Sequence, residues 1–385
     1  MRKRFLFMLI FPAIGFIANH ASATIKYNII DLGKLDGYDG SRAWSINNNG
    51  QVVGDAFNWY SNLNAQALLF DTTGGCNNIE LGLISVEHSE ALSINNNGQI
   101  VGASDNPTNP GGWYPTTFDP SGGSNIIQSN TEGYSISIND SGEIVGYLGS
   151  FFDTASAVLF GNDYQNNIQL GGLDGYTNSI AYSINNGGQI VGYVYNLYNY
   201  EPTGERAIMF DPSGKGNNID LGTLGGDDSI AAYINDNGQI VGCASTVSNE
   251  YGLNHAVLFD VSNPNGNIDL GTLAGHDYSV AMCINNNSQI VGQSCEFSFG
   301  SLDNHTAVLF DPTGGGNNID LNTVIDPTLG WSLRGALCIN DNGWIAGWGN
   351  NPYGESSSFL LKPVPEPATI FLIALGGLAV RRRRK

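Results

Sequence analysis

Hydrophobic residues along this chain fall in short windows of four to six positions, and never at helical spacing over a dozen residues. Between the windows lie clusters of Asn, Asp, Gly and Pro, the residues that tight turns favour. The pattern therefore predicts many short β-strands and no long helix in the body of the chain.

One string of residues recurs seven times. It reads Ile-Asn-Asn-Asn-Gly-Gln-Val-Val-Gly where it begins at Ile46, and copies 44 to 55 residues apart begin at Ile94, Ile138, Ile184, Ile234, Ile284 and Ile339. An Asp-Leu-Gly string and an Ala-Val-Leu-Phe string keep the same period, although the third copy has lost Asp-Leu-Gly. Self-similarity at a period of about 49 residues indicates a repeat architecture.

Each unit is predicted to hold four strands. Around the fifth copy they are residues 218–222, 231–234, 240–242 and 256–259, in that order. Asn-Gly between the second and third strands signals a tight hairpin, because both residues tolerate positive φ. Seven such units predict an all-β fold, a seven-bladed β-propeller over residues 24–363, with an open β-solenoid as the alternative.

The two ends of this body are expected to close the ring. Residues 27–31 precede the first hairpin and residues 358–361 follow the last one. We expect these two segments to pair within one blade, so that the first repeat is tied to the seventh.

The N-terminus predicts a secretory signal peptide over residues 1–23. A basic start at residues 2–4 precedes an apolar run, which ends before Ala21-Ser22-Ala23, a small-x-small cleavage site. The alternative is an uncleaved membrane anchor, for which the apolar run is short.

The C-terminal segment, residues 364–385, combines three features. Pro365, Glu366 and Pro367 precede a short apolar segment predicted as a hydrophobic, transmembrane helix, and the chain ends in Arg381, Arg382, Arg383, Arg384 and Lys385. In this order they resemble the PEP-CTERM sorting domain of Gram-negative bacteria. The resemblance implies export across the inner membrane, membrane association through the tail, and processing there by an exosortase. A plain tail anchor is the alternative.

The repeat itself resembles the HAF repeat of bacterial extracellular proteins. The resemblance rests on Asp-Leu-Gly-Thr-Leu-Gly-Gly at 220–226, the following Ile-Asn-Asp-Asn-Gly-Gln-Ile-Val-Gly, and Asn254-His255-Ala256. The chain departs from the family at Val257, where Phe is expected. This resemblance carries no biochemical activity with it.

Composition narrows the possible partners. Of the 385 residues 41% are hydrophobic, enough for a core, but only 13% are charged and the formal net charge is −20. Outside the two terminal segments 34 acidic residues face seven basic ones, a formal charge near −27. Such a chain lacks the basic surface that nucleic acid requires, so we expect no nucleic-acid partner.

No catalytic or metal-binding constellation stands out. His255 and His305 share one repeat position and are interpreted as strand-edge residues, and the five cysteines allow one or two disulfides after export. The Asn-rich turns at 47–50 and 235–238 and the segment 311–320 offer oxygen ligands for calcium. Most of these turns hold at most one carboxylate, so we expect no cofactor or ordered metal, with calcium as the alternative.

Aromatic residues in the variable loops are the candidate ligand site. They are Trp59, Tyr60, Trp113, Tyr114, Tyr193, Tyr195, Tyr198 and Tyr200. Together they suggest a sugar-stacking surface suited to exopolysaccharide. The sequence thus favours a non-enzymatic binding or scaffolding protein of the envelope or extracellular matrix. The alternatives are a propeller enzyme acting on polysaccharide, a lyase or glycosidase, and a purely structural surface protein.

Overall fold

The computed structural model describes residues 26–365 apart from 60, 82–87, 107–108, 122–124, 162–165, 200, 247–252 and 299–300. Seven four-stranded antiparallel sheets follow one another around a central axis, which confirms the predicted seven-bladed β-propeller. The signal peptide at 1–23 and the tail from Glu366 onward lie outside the described residues.

Within each blade the strands are named in order from the axis outward. Blades one to four contain β2 (Gly40–Ile46), β3 (Val52–Asn58), β4 (Ser61–Phe70) and β5 (Ile79–Glu80); β6 (Ser89–Ile94), β7 (Ile100–Asn106), β8 (Asn109–Phe118) and β9 (Ile126–Ile127); β10 (Gly133–Ile138), β11 (Ile144–Leu148), β12 (Ser156–Phe160) and β13 (Ile168–Gln169); β14 (Asn178–Ile184), β15 (Ile190–Tyr198), β16 (Glu201–Phe210) and β17 (Ile219–Asp220).

The remaining blades follow the same plan. Blades five to seven contain β18 (Ser229–Ile234), β19 (Ile240–Ser245), β20 (Asn254–Phe259) and β21 (Ile268–Gly271); β22 (Tyr278–Ile284), β23 (Ile290–Ser298), β24 (Ser301–Phe310) and β25 (Ile319–Asp320); β26 (Ser332–Ile339), β27 (Ile345–Asn350), β28 (Ser356–Pro363) and, from the start of the chain, β1 (Tyr27–Gly33). Within the described part of the chain, the only helices are 3₁₀ segments at Pro264–Gly266, Leu321–Thr323 and Pro327–Leu329.

The boundary between repeats differs from the sequence prediction. The Asp-Leu-Gly strand was expected to begin a unit, but β17 pairs with β16 and so forms the outer edge of the preceding blade. The reason is the short connection between Phe210 and Ile219, which folds the chain straight back onto the strand it has just left. The crossover to the next blade comes after it, in residues 221–228.

The leucine of each Asp-Leu-Gly string is a core residue. Leu32, Leu81, Leu170, Leu221, Leu270 and Leu321 are all at most 1% exposed. Leu221 packs in one cluster with Val191 of blade four and Ile240 of blade five, so it joins two neighbouring blades. The third copy has Gln128 in place of this leucine, and Gln128 remains partly exposed.

The glycine of each Ile-Val-Gly string is required by a close approach of two strands. A Cβ atom added to Gly54 would lie 1.9 Å from the carbonyl oxygen of Arg42, and one added to Gly192 would lie 1.9 Å from that of Ile180. In both blades the register between the two inner strands shifts at this point, by one residue, as in a β-bulge. The bulge brings a backbone carbonyl to where a side chain would be.

The first and last segments of the chain close the ring as predicted. β1 pairs with β28 over the register Tyr27–Pro363 to Gly33–Ser358. Leu32 and Phe359 from these two strands are fully buried in one hydrophobic cluster.

The hairpin between the two innermost strands is a three-residue turn. Gly50 N donates to Asn47 O at 3.0 Å and Asn47 N donates to Gln51 O at 3.1 Å. Gly50 has φ +80°, whereas the preceding Asn49 is not among the described residues with positive φ. The tight hairpin that Asn-Gly predicts is therefore confirmed, and a type I turn followed by one left-handed residue needs positive φ only at the glycine.

The first asparagine of each turn links its blade to the next. Asn47 Oδ1 accepts hydrogen bonds from Asn49 N and Gln51 N, and Asn47 Nδ2 donates to Asn95 O of blade two at 2.9 Å. The same inter-blade bond, 2.9 to 3.1 Å long, repeats around the axis and returns to Asn47 O. We call this closed ring the asparagine collar; its members are Asn47, Asn95, Asn139, Asn185, Asn235, Asn285 and Asn340.

Deleting residues 26–33 should lower the melting temperature by about 10 °C or more, because blade seven loses its outer strand and the burial of Leu32. Differential scanning calorimetry of residues 24–385 measures this change. Deleting residues 366–385 provides the control and should leave the transition in place. An unchanged melting temperature for the first deletion would show that ring closure is dispensable.

Asn185→Ala should reduce the free energy of unfolding by about 2 to 4 kcal/mol, because it leaves buried groups of two blades without partners. These groups include Asn235 O and the amide nitrogen of Gln189. Urea titration is the measurement, with Asn265→Ala at an exposed position as the matched control, expected to change stability by under about 0.5 kcal/mol. Equal effects of the two substitutions would contradict the role of the collar.

Candidate functional site

The propeller axis carries a cavity that widens away from the asparagine collar. Directly before each collar asparagine stands an isoleucine, and we call these seven residues the collar isoleucines. A chamber of about 630 Å³ lies above them and is walled mainly by the inner strands. It continues into a second cavity of about 520 Å³, which we call the aromatic mouth. The two share Trp44, Glu90, Met282 and Leu337; Arg42, Phe57, Asn58, Trp59, Ala65, Trp113, Gln293, His305 and Trp348 complete the mouth.

At one inner-strand position that faces the chamber and the mouth, only two of the seven blades carry a charge. The position four residues before each collar isoleucine holds Arg42 in blade one and Glu90 in blade two. In the other five blades it holds uncharged residues, namely Tyr134, Ile180, Ile230, Val280 and Gly335. The seven-fold repeat is thus broken where blades one and two meet the aromatic mouth.

Arg42 is held by an ion pair and by two aromatic rings. Its Nη2 lies 3.1 Å from Asp55 Oδ2, and its guanidinium carbon lies 5.1 Å and 4.6 Å from the ring centroids of Trp44 and Phe57. Trp44 Nε1 donates a hydrogen bond to the other oxygen of Asp55. Asp55 is fully buried, and burial raises its pKa, whereas Arg42 and Trp44 both favour its ionised form.

Glu90 stands at the junction of the mouth and the chamber. Among the described residues its carboxylate has no hydrogen-bond or ion-pair partner, and it is only partly exposed, to the cavity. Burial raises the pKa of Glu90 to about 7, and the negative charge of Asp55 adds to this rise while Arg42 opposes it. The group therefore changes its charge near neutral pH.

Tryptophan surrounds these charges. Four of the six tryptophans of the chain, Trp44, Trp59, Trp113 and Trp348, line the aromatic mouth. Trp113 stacks on Tyr134 with ring centroids 5.4 Å apart, while Trp59 meets Phe57 edge-on and remains 59% exposed. Gln293 and His305 add side chains with hydrogen-bonding groups from blade six. Such a mixture of flat apolar faces and a few polar groups suits a small polar ligand.

Six of the eight aromatic residues proposed as a ligand loop are described, and two of these six line the aromatic mouth. Trp59 and Trp113 meet in the aromatic mouth. Tyr114 is buried, Tyr198 is 71% exposed at the end of β15, and Tyr60 and Tyr200 lie outside the described residues.

Tyr193 and Tyr195 correct the interpretation of that segment as a variable loop. Both lie within β15, where Tyr193 stacks on Tyr182 and on Tyr195. They are at most 3% exposed, and the Tyr195 hydroxyl donates to Phe151 O at 2.7 Å. The strand is longer than the repeat suggested, so these rings pack between blades and do not reach solvent.

A second ring of polar side chains surrounds the opposite opening, next to the collar. Asn48, Asn96, Asp140, Asn186, Asp236, Asn286 and Asp341 each accept a hydrogen bond from the backbone of the preceding blade. No two of the three aspartates are adjacent, and Asn186 Nδ2 donates to the carboxylates on both sides of it. The polar atoms of this ring are thus largely committed to holding neighbouring blades together.

The turns considered for calcium use their oxygen atoms internally. Asp311 accepts from Thr313 and Asn317, which lowers the pKa of its carboxyl to about 2. Over the described ranges, no group of three His, Cys, Asp or Glu side chains could hold a metal ion. The expectation of no cofactor or ordered metal, with calcium as the alternative, stays a prediction.

All five cysteines are free thiols, so the alternative of one or two disulfides is not realised. Cys243, Cys283 and Cys338 line the central chamber. Burial raises the pKa of both Cys243 and Cys283 to about 12, which keeps these thiols protonated at neutral pH.

Sequence reasoning missed Arg42, Asp55, Glu90 and the placement of His305 in the mouth. The sequence does mark Arg42 and Glu90. When the seven Ile-Asn strings are aligned, the position four residues before the isoleucine is charged in these two copies and uncharged in the other five. Only the fold shows that this position faces the axis. His305, interpreted as a strand-edge residue, lines the mouth beside Trp348 with ring centroids 6.2 Å apart.

Two family models match parts of the chain. Residues 363–385 match the PEP-CTERM protein-sorting motif, which confirms that resemblance, and residues 9–113 match a family of proteins of unknown function, DUF3466. No curated protein matches the chain. The HAF-repeat resemblance stays a prediction.

The sorting motif identifies an exported protein that an exosortase, a membrane processing enzyme, recognises and that is membrane-anchored before processing. Pro365 is exposed at the end of the described chain, and Glu366, Pro367, Arg381, Arg382, Arg383 and Arg384 lie outside it, as does the predicted transmembrane helix. Within residues 26–365, gaps aside, no helix is long and apolar enough to cross a membrane.

Glu90→Gln should stabilise the protein at pH 8 but not at pH 5. A raised pKa means that folded Glu90 keeps its proton while unfolded Glu90 loses it near 4.5, so wild-type stability falls as the pH rises from there to about 7. Gln removes this loss, which we expect to reach about 2 kcal/mol at pH 8. Thermal melts at both pH values measure it.

Glu201→Gln is the matched control, because Glu201 is exposed and the change in net charge is the same. It should shift the melting temperature equally at both pH values. If Glu90→Gln does the same, the carboxyl of Glu90 does not titrate near neutrality.

Proposed function

We propose that this exported chain is a non-enzymatic binding protein of the cell envelope or extracellular matrix, and that its aromatic mouth holds a saccharide unit of exopolysaccharide. The observation that carries the proposal is the gathering of four tryptophans around one axial cavity. Sugar rings present flat C–H faces that stack on aromatic rings, while their hydroxyls need hydrogen-bond partners.

The polar groups of the mouth meet that second need. Gln293, His305 and Glu90 line the same cavity as the tryptophans, and they come from three different strands. Because β-strands of a closed propeller hold them, little conformational entropy is lost when a ligand binds.

The distribution of carboxylates favours binding over hydrolysis. Glycoside hydrolysis generally uses two carboxyl groups that flank the bond to be cleaved. Glu90 is the single acidic residue among the described residues that line the mouth, and Asp55 is fully buried behind Arg42. An enzyme acting on polysaccharide, or a purely structural protein, would be the outcome if the following experiment fails.

Trp59→Ala should weaken the binding of neutral matrix oligosaccharides about tenfold, because one exposed stacking face is lost. A glycan array with purified residues 24–363 selects the ligand, and isothermal titration calorimetry measures the affinity. Tyr353→Ala is the matched control, since Tyr353 is 87% exposed but does not line the cavity.

A blank array, or equal affinities for Trp59→Ala and wild type, would contradict saccharide binding in the mouth. Release of shortened or unsaturated oligosaccharides during the incubation would instead identify an enzyme.

A further inference from the structure

The charges of the axial cavity do not balance. Arg42 and Glu90 are the lining residues with full charges, and Arg42 already faces Asp55 at 3.1 Å. Asp55 is itself out of reach of any ligand because it is fully buried. Glu90 therefore remains the one uncompensated charge of the cavity when it is ionised.

An uncompensated carboxylate in such a place is costly. Glu90 is partly buried among tryptophans, and the nearby charge of Asp55 repels its own. A cation that enters with the ligand would supply the missing partner, and the bond between them would be charge-assisted.

The walls of the mouth favour a cation as well. Aromatic faces attract positive charge, and tryptophan does so most strongly. Arg42 already occupies the rings of Trp44 and Phe57, which shows that this cavity accommodates a cation over its aromatic residues. Trp113 and Trp348 stand in the same mouth without such a cation among the described residues.

We propose that the saccharide bound in the aromatic mouth carries a free, protonated amino group, as in a de-N-acetylated amino sugar, and that Glu90 is its counter-ion. This inference rests on the proposed saccharide-binding function. The amino group distinguishes such a ligand from neutral sugars, which tryptophan stacking alone would accept. An N-acetylated sugar of the same backbone lacks the charge and leaves Glu90 without a partner.

The test compares two probes of equal length, a glucosamine tetramer and an N-acetylglucosamine tetramer, by isothermal titration calorimetry on residues 24–363 at pH 7. The wild type should bind the glucosamine tetramer about tenfold to a hundredfold more tightly, which is the range of a charge-assisted hydrogen bond to a partly buried group. Glu90→Gln should lose this preference, so that the two tetramers bind it with similar affinities.

Two controls distinguish the effect of Glu90 from the general attraction of an acidic protein for cations. Glu201→Gln makes the same change in net charge at an exposed position and should keep the preference. Glu90→Asp retains a carboxylate and should keep part of it, so that a loss confined to Glu90→Gln cannot come from misfolding. Melting curves verify that each variant is folded.

The outcomes distinguish the amine preference from the saccharide-binding function. If both tetramers bind the wild type equally, or if Glu90→Gln keeps the preference, the saccharide-binding function stands and the amine inference is overturned. If neither tetramer nor any array glycan binds and Trp59→Ala changes nothing, the proposed function fails and the inference fails with it.

Discussion

The asparagine collar is the constraint from which the rest of the propeller follows. Each collar side chain fixes the turn of its own blade through Oδ1 and donates through Nδ2 to the carbonyl of the next blade. Because the last member, Asn340, donates back to Asn47, the seven blades must meet at one spacing and one tilt. A blade that lost its collar residue would leave a buried carbonyl of its neighbour without a donor, which is costly.

This constraint explains why the repeat is regular at one face and variable at the other. The turn sequence is kept because the collar uses its side chain and its left-handed residue, even where Ser288 takes that conformation, with φ 61°, in place of glycine. Among the described residues, the hairpins at the other end form no comparable ring of inter-blade hydrogen bonds, so their lengths and residues can differ. The aromatic mouth lies at this variable end, so the blades can carry different side chains there. Blades one and two provide Arg42 and Glu90.

The local patterns in the sequence were sufficient for the blade count, the inner hairpins and ring closure, since each depends on a turn or on chain order. They were not sufficient for the outer strand. β17 is only two residues long, and its partner is decided by the path of the connecting turn and not by its own composition. The direction of side chains was equally hidden, because the bulge opposite Gly192 shifts the alternation along β14. Tyr193 packs between blades because β15 extends to Tyr198, whereas spacing alone predicts that it belongs to a solvent-facing loop.

The charge pattern of the mouth follows from the same geometry. Arg42 and Asp55 are directly paired across β2 and β3, so they form a neutral unit that positions Trp44 and Phe57. Glu90 occupies the matching inner position of blade two, but Ala103 stands across from it and gives no counter-charge. The two blades thus carry the same framework with one charge compensated and one not. The body of the chain is strongly acidic, so its surface attracts cations over a distance that salt shortens to about 10 Å. In our proposal, the single carboxylate among the tryptophans then selects which cationic ligand binds.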